Sequence, residues 1–284
     1  MDRSLDYGDC WKADATAMEY EAYMSYDIFS NRSGASWIWG VPAMAVLLLA
    51  LIFASGSNLA LFLSLNHLSS YTGDDFWADM TALGDTVTVI ALLLPFWRKR
   101  PDVLWACILA ALFATLWSHG LKHLAHSPRP PGVLPLESFH VIGPAHQRDS
   151  FPSGHTTAIF TLAGVMALTS LSKFQRWLWL LLAVLVALSR CAVGVHWPLD
   201  IVGGALGGWL SALAGLWLAE RWHWGEIGIG RVIIVSFPLF ASITLVAGYD
   251  AAYSQAAWFL RCVGIACLSL AAFQAATNFK KQHD

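Results

Sequence analysis

Apolar residues along this chain are grouped into eight long runs separated by short polar stretches. The runs cover residues 37–63, 81–97, 103–117, 156–171, 177–195, 201–219, 232–247 and 256–276. A helix needs about 20 residues to cross a bilayer, and most of the runs reach that length with their flanks. No strand pattern competes, and lipid admits only helices or closed barrels. The pattern therefore predicts an all-α integral membrane protein of about eight spans.

Composition supports this class and divides the chain into three parts. Apolar residues make up 57% of the chain and charged residues 13%, roughly half the charge of an ordinary soluble domain. Residues 1–36 carry seven Asp or Glu against three Lys or Arg, so we expect a solvent-exposed tail rather than a signal peptide. Residues 37–220 hold six spans. Residues 221–284 hold two further spans and a short basic end. The five cysteines include no C-x-x-C pair, and we expect neither disulfides nor a metal site.

The basic residues of the loops predict an orientation. The loops that follow spans two, four, six and eight carry nine Lys or Arg, whereas residues 64–80, between spans one and two, carry none. The positive-inside rule places the basic loops in the cytoplasm. We therefore expect a multi-pass protein of the cell membrane.

Three polar motifs lie at the ends of apolar runs, and the loop charges place all three at the outer face. The first runs from Lys122 to Arg129-Pro130, the second is Pro152-Ser153-Gly154-His155, and the third contains Ser189-Arg190, His196 and Asp200. Cations on the outer face oppose the charge trend of the loops. Their presence there indicates a task other than topology, because ionisable groups at membrane depth are functional by default.

The residue types suit a transferring phosphoryl group, whose spread negative charge needs positioning and electrostatic stabilisation. Lys122, Arg129 and Arg190 supply positive charge, and an arginine fork matches paired phosphate oxygens. Ser153 and Gly154 open a helix whose free N–H groups favour an anion. Capping of that helix is the alternative role for Ser153.

The two histidines divide the remaining chemistry. Pro198 suits the first position of the sixth span, so Asp200 lies in the first turn and can accept a hydrogen bond from His196. That bond would leave the other ring nitrogen of His196 free to attack phosphorus. His155 would protonate the leaving oxygen and later activate water.

With these motifs in order and at this spacing, the sequence resembles the type 2 phosphatidic acid phosphatase superfamily, which includes glucose-6-phosphatase and vanadium haloperoxidases. The match covers roughly spans one to six. The resemblance implies a six-helix core, a phosphohistidine on His196, no metal and no cofactor. Spans seven and eight are an addition to that core, with no role that the sequence assigns.

The motifs leave the substrate and the acceptor open. Our first hypothesis is a lipid-phosphate phosphatase whose partners are a membrane lipid phosphate and the bilayer, with no nucleic acid. Polyprenyl pyrophosphate is favoured over phosphatidic acid, phosphatidylglycerol phosphate and the phosphate of lipid A. The alternatives are a lipid phosphotransferase and a non-enzymatic transporter on the same fold. His119, His123 and His126 have helical spacing that could suit a metal, although an interfacial or supporting role is favoured. The sequence does not indicate the oligomeric state.

Overall fold

The computed structural model describes residues 32–170 and 172–283, and within these residues the chain forms helices and no strand. The predicted tail therefore falls mainly outside the described residues. The helices are α1 (Arg32–Ser55), α2 (Asn58–Asn66), α3 (Ser69–Thr72), α4 (Asp74–Leu83), α5 (Thr86–Ala91), α6 (Pro101–Ala125), α7 (Gly154–Thr169), α8 (Lys173–Ala192), α9 (Pro198–Ala219), α10 (Gly228–Val246) and α11 (Ala257–His283). Short 3-10 turns occupy Leu94–Phe96, Pro130–Gly132, Leu136–Ser138, Trp224–Glu226 and Ser254–Ala256.

The predicted all-α membrane architecture is confirmed. In the described chain, six helices are long and apolar enough to cross a bilayer, and α4 with α5 forms a seventh, bent candidate. Helix α7 has only 16 residues and is apolar on average. It is buried along most of its length, so its neighbours rather than lipid surround it. These eight elements correspond to the eight predicted apolar runs, and six or seven of them are long enough to be spans.

The first apolar run, 37–63, is not one span. The chain turns at Gly56, where φ is +64°, a backbone conformation that favours glycine. After the turn, Asn58 accepts a hydrogen bond from the backbone N–H of Leu199 at 3.1 Å. At the other end of α2, Asn66 donates to backbone carbonyls in the last turn of α8 at 3.2 and 3.1 Å. Helix α2 therefore lies across the end of the bundle where α8 ends and α9 begins.

The second run, 81–97, is bent rather than straight. Helix α4 and the segment that begins with α5 meet at an angle of 60°. The chain bends there because Asp85 starts a new helix, its side chain accepting a hydrogen bond from the N–H of Val87 at 2.9 Å. The residue before it, Gly84, packs tightly: a Cβ there would lie 2.6 Å from Val186 and 3.1 Å from the Cβ of His155. The bend thus brings this span against the start of α7.

Helix α9 packs closely on α7 through its glycine pairs. A Cβ on Gly204 would lie 2.7 Å from the carbonyl oxygen of Ser153, and a Cβ on Gly208 would overlap the carbonyl of Thr157. Small residues four positions apart let the two helix backbones approach this closely. This packing fixes the beginning of α7 beside the beginning of α9, and both beginnings carry site residues.

The added helices α10 and α11 are bound to the core at the opposite end of the bundle. Arg98 donates to the carbonyl of Gln274 at 2.6 Å, and the Gln274 amide donates to the carbonyl of Pro95 at 2.8 Å. Arg231 donates to the carbonyls of Trp97 and Arg98, each at 3.2 Å. Basic loops that follow spans two and six therefore meet at one end, as alternation along the chain predicts.

Candidate active site

The three motifs converge at the end of the bundle where α6 and α8 finish and α7 and α9 begin. The indole N–H of Trp197 donates to the carbonyl of Pro128 at 2.9 Å, which joins the first motif to the third. The N–H of Ser153 donates to the backbone carbonyl of Asp200 at 3.0 Å, which joins the second motif to the third. Segments far apart in sequence are therefore held together by direct bonds.

His196 is 1% exposed and is oriented by Asp200. Its Nδ1 lies 3.2 Å from Oδ2 of Asp200, as predicted. The same carboxylate oxygen accepts from the N–H of Trp197 at 2.7 Å and from the hydroxyl of Ser150. Because Asp200 accepts from Nδ1–H, the lone pair of His196 is on Nε2, where it can act as a nucleophile. Sequence reasoning missed Ser150, although it lies only two residues before the second motif.

Burial, followed by the positive charges of Arg129, Arg190 and Lys122, lowers the pKa of His196 well below its ordinary value. Both effects disfavour the protonated ring. His196 is therefore neutral at pH 7 and keeps its nucleophilic lone pair. The same observation brings the three predicted cations into one electrostatic neighbourhood with His196.

His155 lies in the first turn of α7, and its Nε2 is buried without a hydrogen-bond partner among the described residues. A ring nitrogen without a partner is free to exchange a proton with a bound substrate. Beside it, a Cβ on Gly154 would lie 3.4 Å from Oγ of Ser118 and 3.9 Å from Nζ of Lys122. Gly154 is thus the point where the backbone of α7 comes next to Lys122.

Ser153 is the N-cap of α7, the alternative role that the sequence allowed. Its Oγ accepts from the N–H of Thr156 at 3.4 Å and from the Thr156 hydroxyl at 3.1 Å. The side chain is fully buried and engaged in this cap. The first N–H groups of a helix have no partner within it, so an anion at this end would meet backbone donors rather than the Ser153 hydroxyl.

Lys122 and Arg129 line an open cavity of about 630 Å³ together with His119, His146, Gln147, Arg148 and Asp149. Two backbone carbonyls hold the guanidinium of Arg129. Its Nε donates to the carbonyl of Arg148 at 2.8 Å, and its Nη2 donates to the carbonyl of Asp149 at 3.4 Å. Burial and then the charge of Arg129 lower the pKa of His146. The cavity gives the cations a route to solvent.

Arg190 is 3% exposed and is anchored by two hydroxyl groups that the sequence did not suggest. Its Nη1 donates to Oγ1 of Thr81 and, at 3.2 Å, to the hydroxyl of Tyr253. Its Nε is buried and has no partner among the described residues. Thr81 and Tyr253 are 109 and 63 positions away, so no local signal could have identified them.

The histidines at 119, 123 and 126 do not form a metal site with other side chains. In the part of the chain that the structure describes, no three His, Cys, Asp or Glu side chains are grouped so that they could hold an ion. His119 instead faces the cavity, and His126 ends α6 in a left-handed conformation, 3.9 Å from Asp149.

Comparison with known proteins places this geometry in a family. Residues 85–224 match the family model of the PAP2 superfamily. An undecaprenyl-diphosphatase from Sulfolobus acidocaldarius is 32% identical over 166 residues, which are 56% of this chain and 77% of that protein. The bacitracin transport permease protein BcrC of Bacillus licheniformis is 47% identical over 125 residues, which are 44% of this chain but only 59% of that protein.

A solved structure shares the same core. The crystal structure of Aquifex aeolicus LpxE is 31% identical and superimposes with a TM-score of 0.52, covering 56% of this chain and 94% of that one. The matched region of the family model ends at residue 224, before α10 and α11 begin.

Proposed function

Because this chain belongs to the PAP2 superfamily, we propose that it hydrolyses a polyprenyl pyrophosphate in the membrane through a phosphohistidine on His196. The observation that carries the proposal is the environment of His196. Asp200 holds one ring nitrogen, and the charges of Arg129, Arg190 and Lys122 act on the ring and lower its pKa. A neutral imidazole next to an anion-binding cluster is the arrangement that nucleophilic attack on phosphorus requires.

The two chemical steps follow from the positions of the two histidines. Nε2 of His196 attacks the terminal phosphorus, a P–N bond forms, and the bond from phosphorus to the leaving oxygen breaks. Protonated His155, favoured once an anion is bound, gives its proton to that oxygen. Water then attacks the phosphohistidine and gives a proton to His155 while the P–N bond breaks. Inorganic phosphate and free His196 result. Lys122, Arg129, Arg190 and the first N–H groups of α7, including that of Gly154, stabilise the charge on the phosphoryl oxygens. No metal or cofactor takes part.

Two neighbouring cavities on α6 support a lipid as the substrate. His119 and Lys122 face the polar cavity, whereas Leu121 and Leu124 line an apolar groove of about 440 Å³ between α6 and α9. A phosphate in the first could thus continue into an apolar chain in the second. The preference for polyprenyl pyrophosphate draws on the named activity of the Sulfolobus relative. Phosphatidic acid, phosphatidylglycerol phosphate and the phosphate of lipid A are the competing substrates.

A substrate panel tests the reaction. Purified protein in excess chelator is expected to release phosphate from polyprenyl pyrophosphate faster than from the other lipid phosphates, and to leave polyprenyl monophosphate. Phosphate and lipid products are both measured, with a second lipid present as acceptor. Phosphorylation of that lipid without phosphate release would establish the phosphotransferase. Turnover that requires a divalent metal would refute the mechanism.

Transport is the other alternative, because the Bacillus licheniformis relative is named a bacitracin transport permease protein. The complete set of reacting residues favours an enzyme, since transport alone would not need two histidines beside three cations. Flux of labelled lipid in proteoliposomes, measured for wild type and the His196→Ala variant, separates the two. Flux that persists without phosphate release would support the transporter.

We also propose that the site faces outward from the cell membrane, on the evidence of the loop charges. Gln147 is an exposed residue that lines the cavity. We expect the Gln147→Cys variant to react with an impermeant thiol reagent on intact cells. The background carries Ser at Cys10 and at Cys262, the latter being the exposed one among the described thiols. The matched control is Arg221→Cys, exposed beyond the other end of α9. Labelling of the control alone would reverse the orientation.

A further inference from the structure

We infer that the added helices α10 and α11 support the phosphate site, and that Tyr253 in their linker is a positioning residue for Arg190. This inference rests on the proposed function, because it assigns Arg190 to phosphate. The linker runs between Val246 and Ala257 at the site end of the bundle. It lies outside the region matched by the family model, residues 85–224, so the support is a property of this chain's own addition.

The position of Tyr253 is fixed on several sides. The residue is 3% exposed, and its hydroxyl accepts from Nη1 of Arg190 at 3.2 Å. Its ring lies against Gly143 so closely that a Cβ there would be 2.7 Å from Cε1. The neighbouring N–H of Ile142 donates to the carbonyl of Val193, just after α8, at 3.1 Å. The ring is therefore packed against a loop that is itself bound to the helix carrying Arg190.

The rest of the linker region is equally well attached. Tyr253 belongs to a buried cluster that joins Ala256 and Leu260 of the addition to Trp77 and Ala78 of α4. Tyr249 lies close to Asp85, the residue that starts α5. The linker is therefore packed against the bent span. This packing holds the hydroxyl of Tyr253 in a fixed position.

The geometry of a guanidinium explains what this partner does. Nη1 of Arg190 is engaged by Thr81 and Tyr253, while Nε is buried and unpartnered. The planar guanidinium presents Nε and Nη2 along one edge, away from Nη1, and that edge is the fork that binds two phosphate oxygens. Holding Nη1 with two hydroxyl groups thus turns the free edge toward the anion and removes the rotational freedom that binding would otherwise have to overcome.

Removing the hydroxyl of Tyr253 tests the inference. We expect Tyr253→Phe, which keeps the ring on Gly143, to weaken inhibition by inorganic phosphate and by orthovanadate about tenfold and to raise KM by a similar factor, with a smaller change in kcat. Thr81→Val removes the other acceptor on Nη1 and should give the same signature. The matched control is Tyr71→Phe, which deletes a hydroxyl from an exposed tyrosine without touching Arg190 and should leave the inhibition constants unchanged.

A double-mutant cycle separates positioning from general support. If Tyr253 acts through Arg190, the tenfold effect should shrink to less than twofold in an Arg190→Lys background. An undiminished effect in that background, or unaltered phosphate inhibition in Tyr253→Phe, would overturn the inference. The amount of folded protein is followed by thermal unfolding, because a purely structural role would lower it and leave the inhibition constants of the folded fraction unchanged. Phosphate binding measured by calorimetry reports on Arg190 even if wild type fails to hydrolyse the lipid panel, so the two proposals can fail separately.

Discussion

Replacing His196 by alanine is expected to abolish phosphate release, with a loss of roughly 10⁴-fold or more in kcat. The reason is that Nε2 of His196 is the atom that forms the P–N bond, and no other described histidine shares its contact with Asp200. Wild-type protein mixed rapidly with ³²P-labelled substrate and quenched in base should carry acid-labile label, and the variant should carry none. Phosphate release and labelling are measured on the same preparations.

The control for this experiment is another histidine at the same end of the molecule. His67 is exposed, and its ring contacts Ser70 and Tyr71 rather than the reacting residues, so His67→Ala should keep full activity and full labelling. Thermal unfolding shows whether the His196→Ala protein is folded. A folded His196→Ala protein that still became labelled would assign the covalent step to a different residue.

Replacing His155 by glutamine should give the second largest effect, and its size should depend on the leaving group. For a lipid phosphate monoester, one of the competing substrates, the leaving group is an alkoxide and we expect a loss of about 10²–10⁴-fold, since the departing oxygen needs a proton. Polyprenyl pyrophosphate, whose leaving group is a less basic phosphate, should lose less. An aryl phosphate, whose leaving oxygen is far less basic, should react with His196 almost normally. Because His155 also activates water, the phosphohistidine should then accumulate.

Two measurements on the same variant check this prediction. The ratio of kcat/KM for the aryl and alkyl substrates should rise strongly in His155→Gln, and ³²P label on the enzyme should exceed that of wild type during turnover of the aryl substrate. His146→Gln, which changes a histidine of the cavity and not one in α7, serves for comparison and should leave the ratio unaltered. Equal losses on both substrates would show that His155 does not handle the proton of the leaving group.

Local patterns in the sequence were sufficient for the helices and for contacts between near neighbours. The apolar runs predicted the spans because the hydrocarbon of a bilayer sets helix length. The bond from His196 to Asp200 and the cap by Ser153 were predictable because each spans four residues or fewer along one segment. Even the convergence of the motifs followed from the alternation of loops across the membrane.

Contacts between distant segments were beyond the reach of those patterns. The polar patch at Ser55–Asn58 interrupts the run 37–63, but composition does not indicate the direction that the chain takes after the turn at Gly56 or the bend at Asp85. Ser150 reaches Asp200 across 50 positions, and Tyr253 reaches Arg190 from a linker between two helices whose purpose the sequence left open. Hydroxyl groups of this kind are common throughout the chain, so only their position in space distinguishes them.

Arg129 is held by backbone atoms, and this affects which substitutions the neighbouring positions can accept. Its guanidinium is held by the carbonyls of Arg148 and Asp149, and its own N–H donates to the carbonyl of Gln147 at 2.9 Å. Every amino acid carries the same carbonyl, so side chains at these three positions can change without releasing the arginine. Substitutions at the rim of the cavity can therefore change which head groups enter it. The residues that react beneath the rim keep their positions.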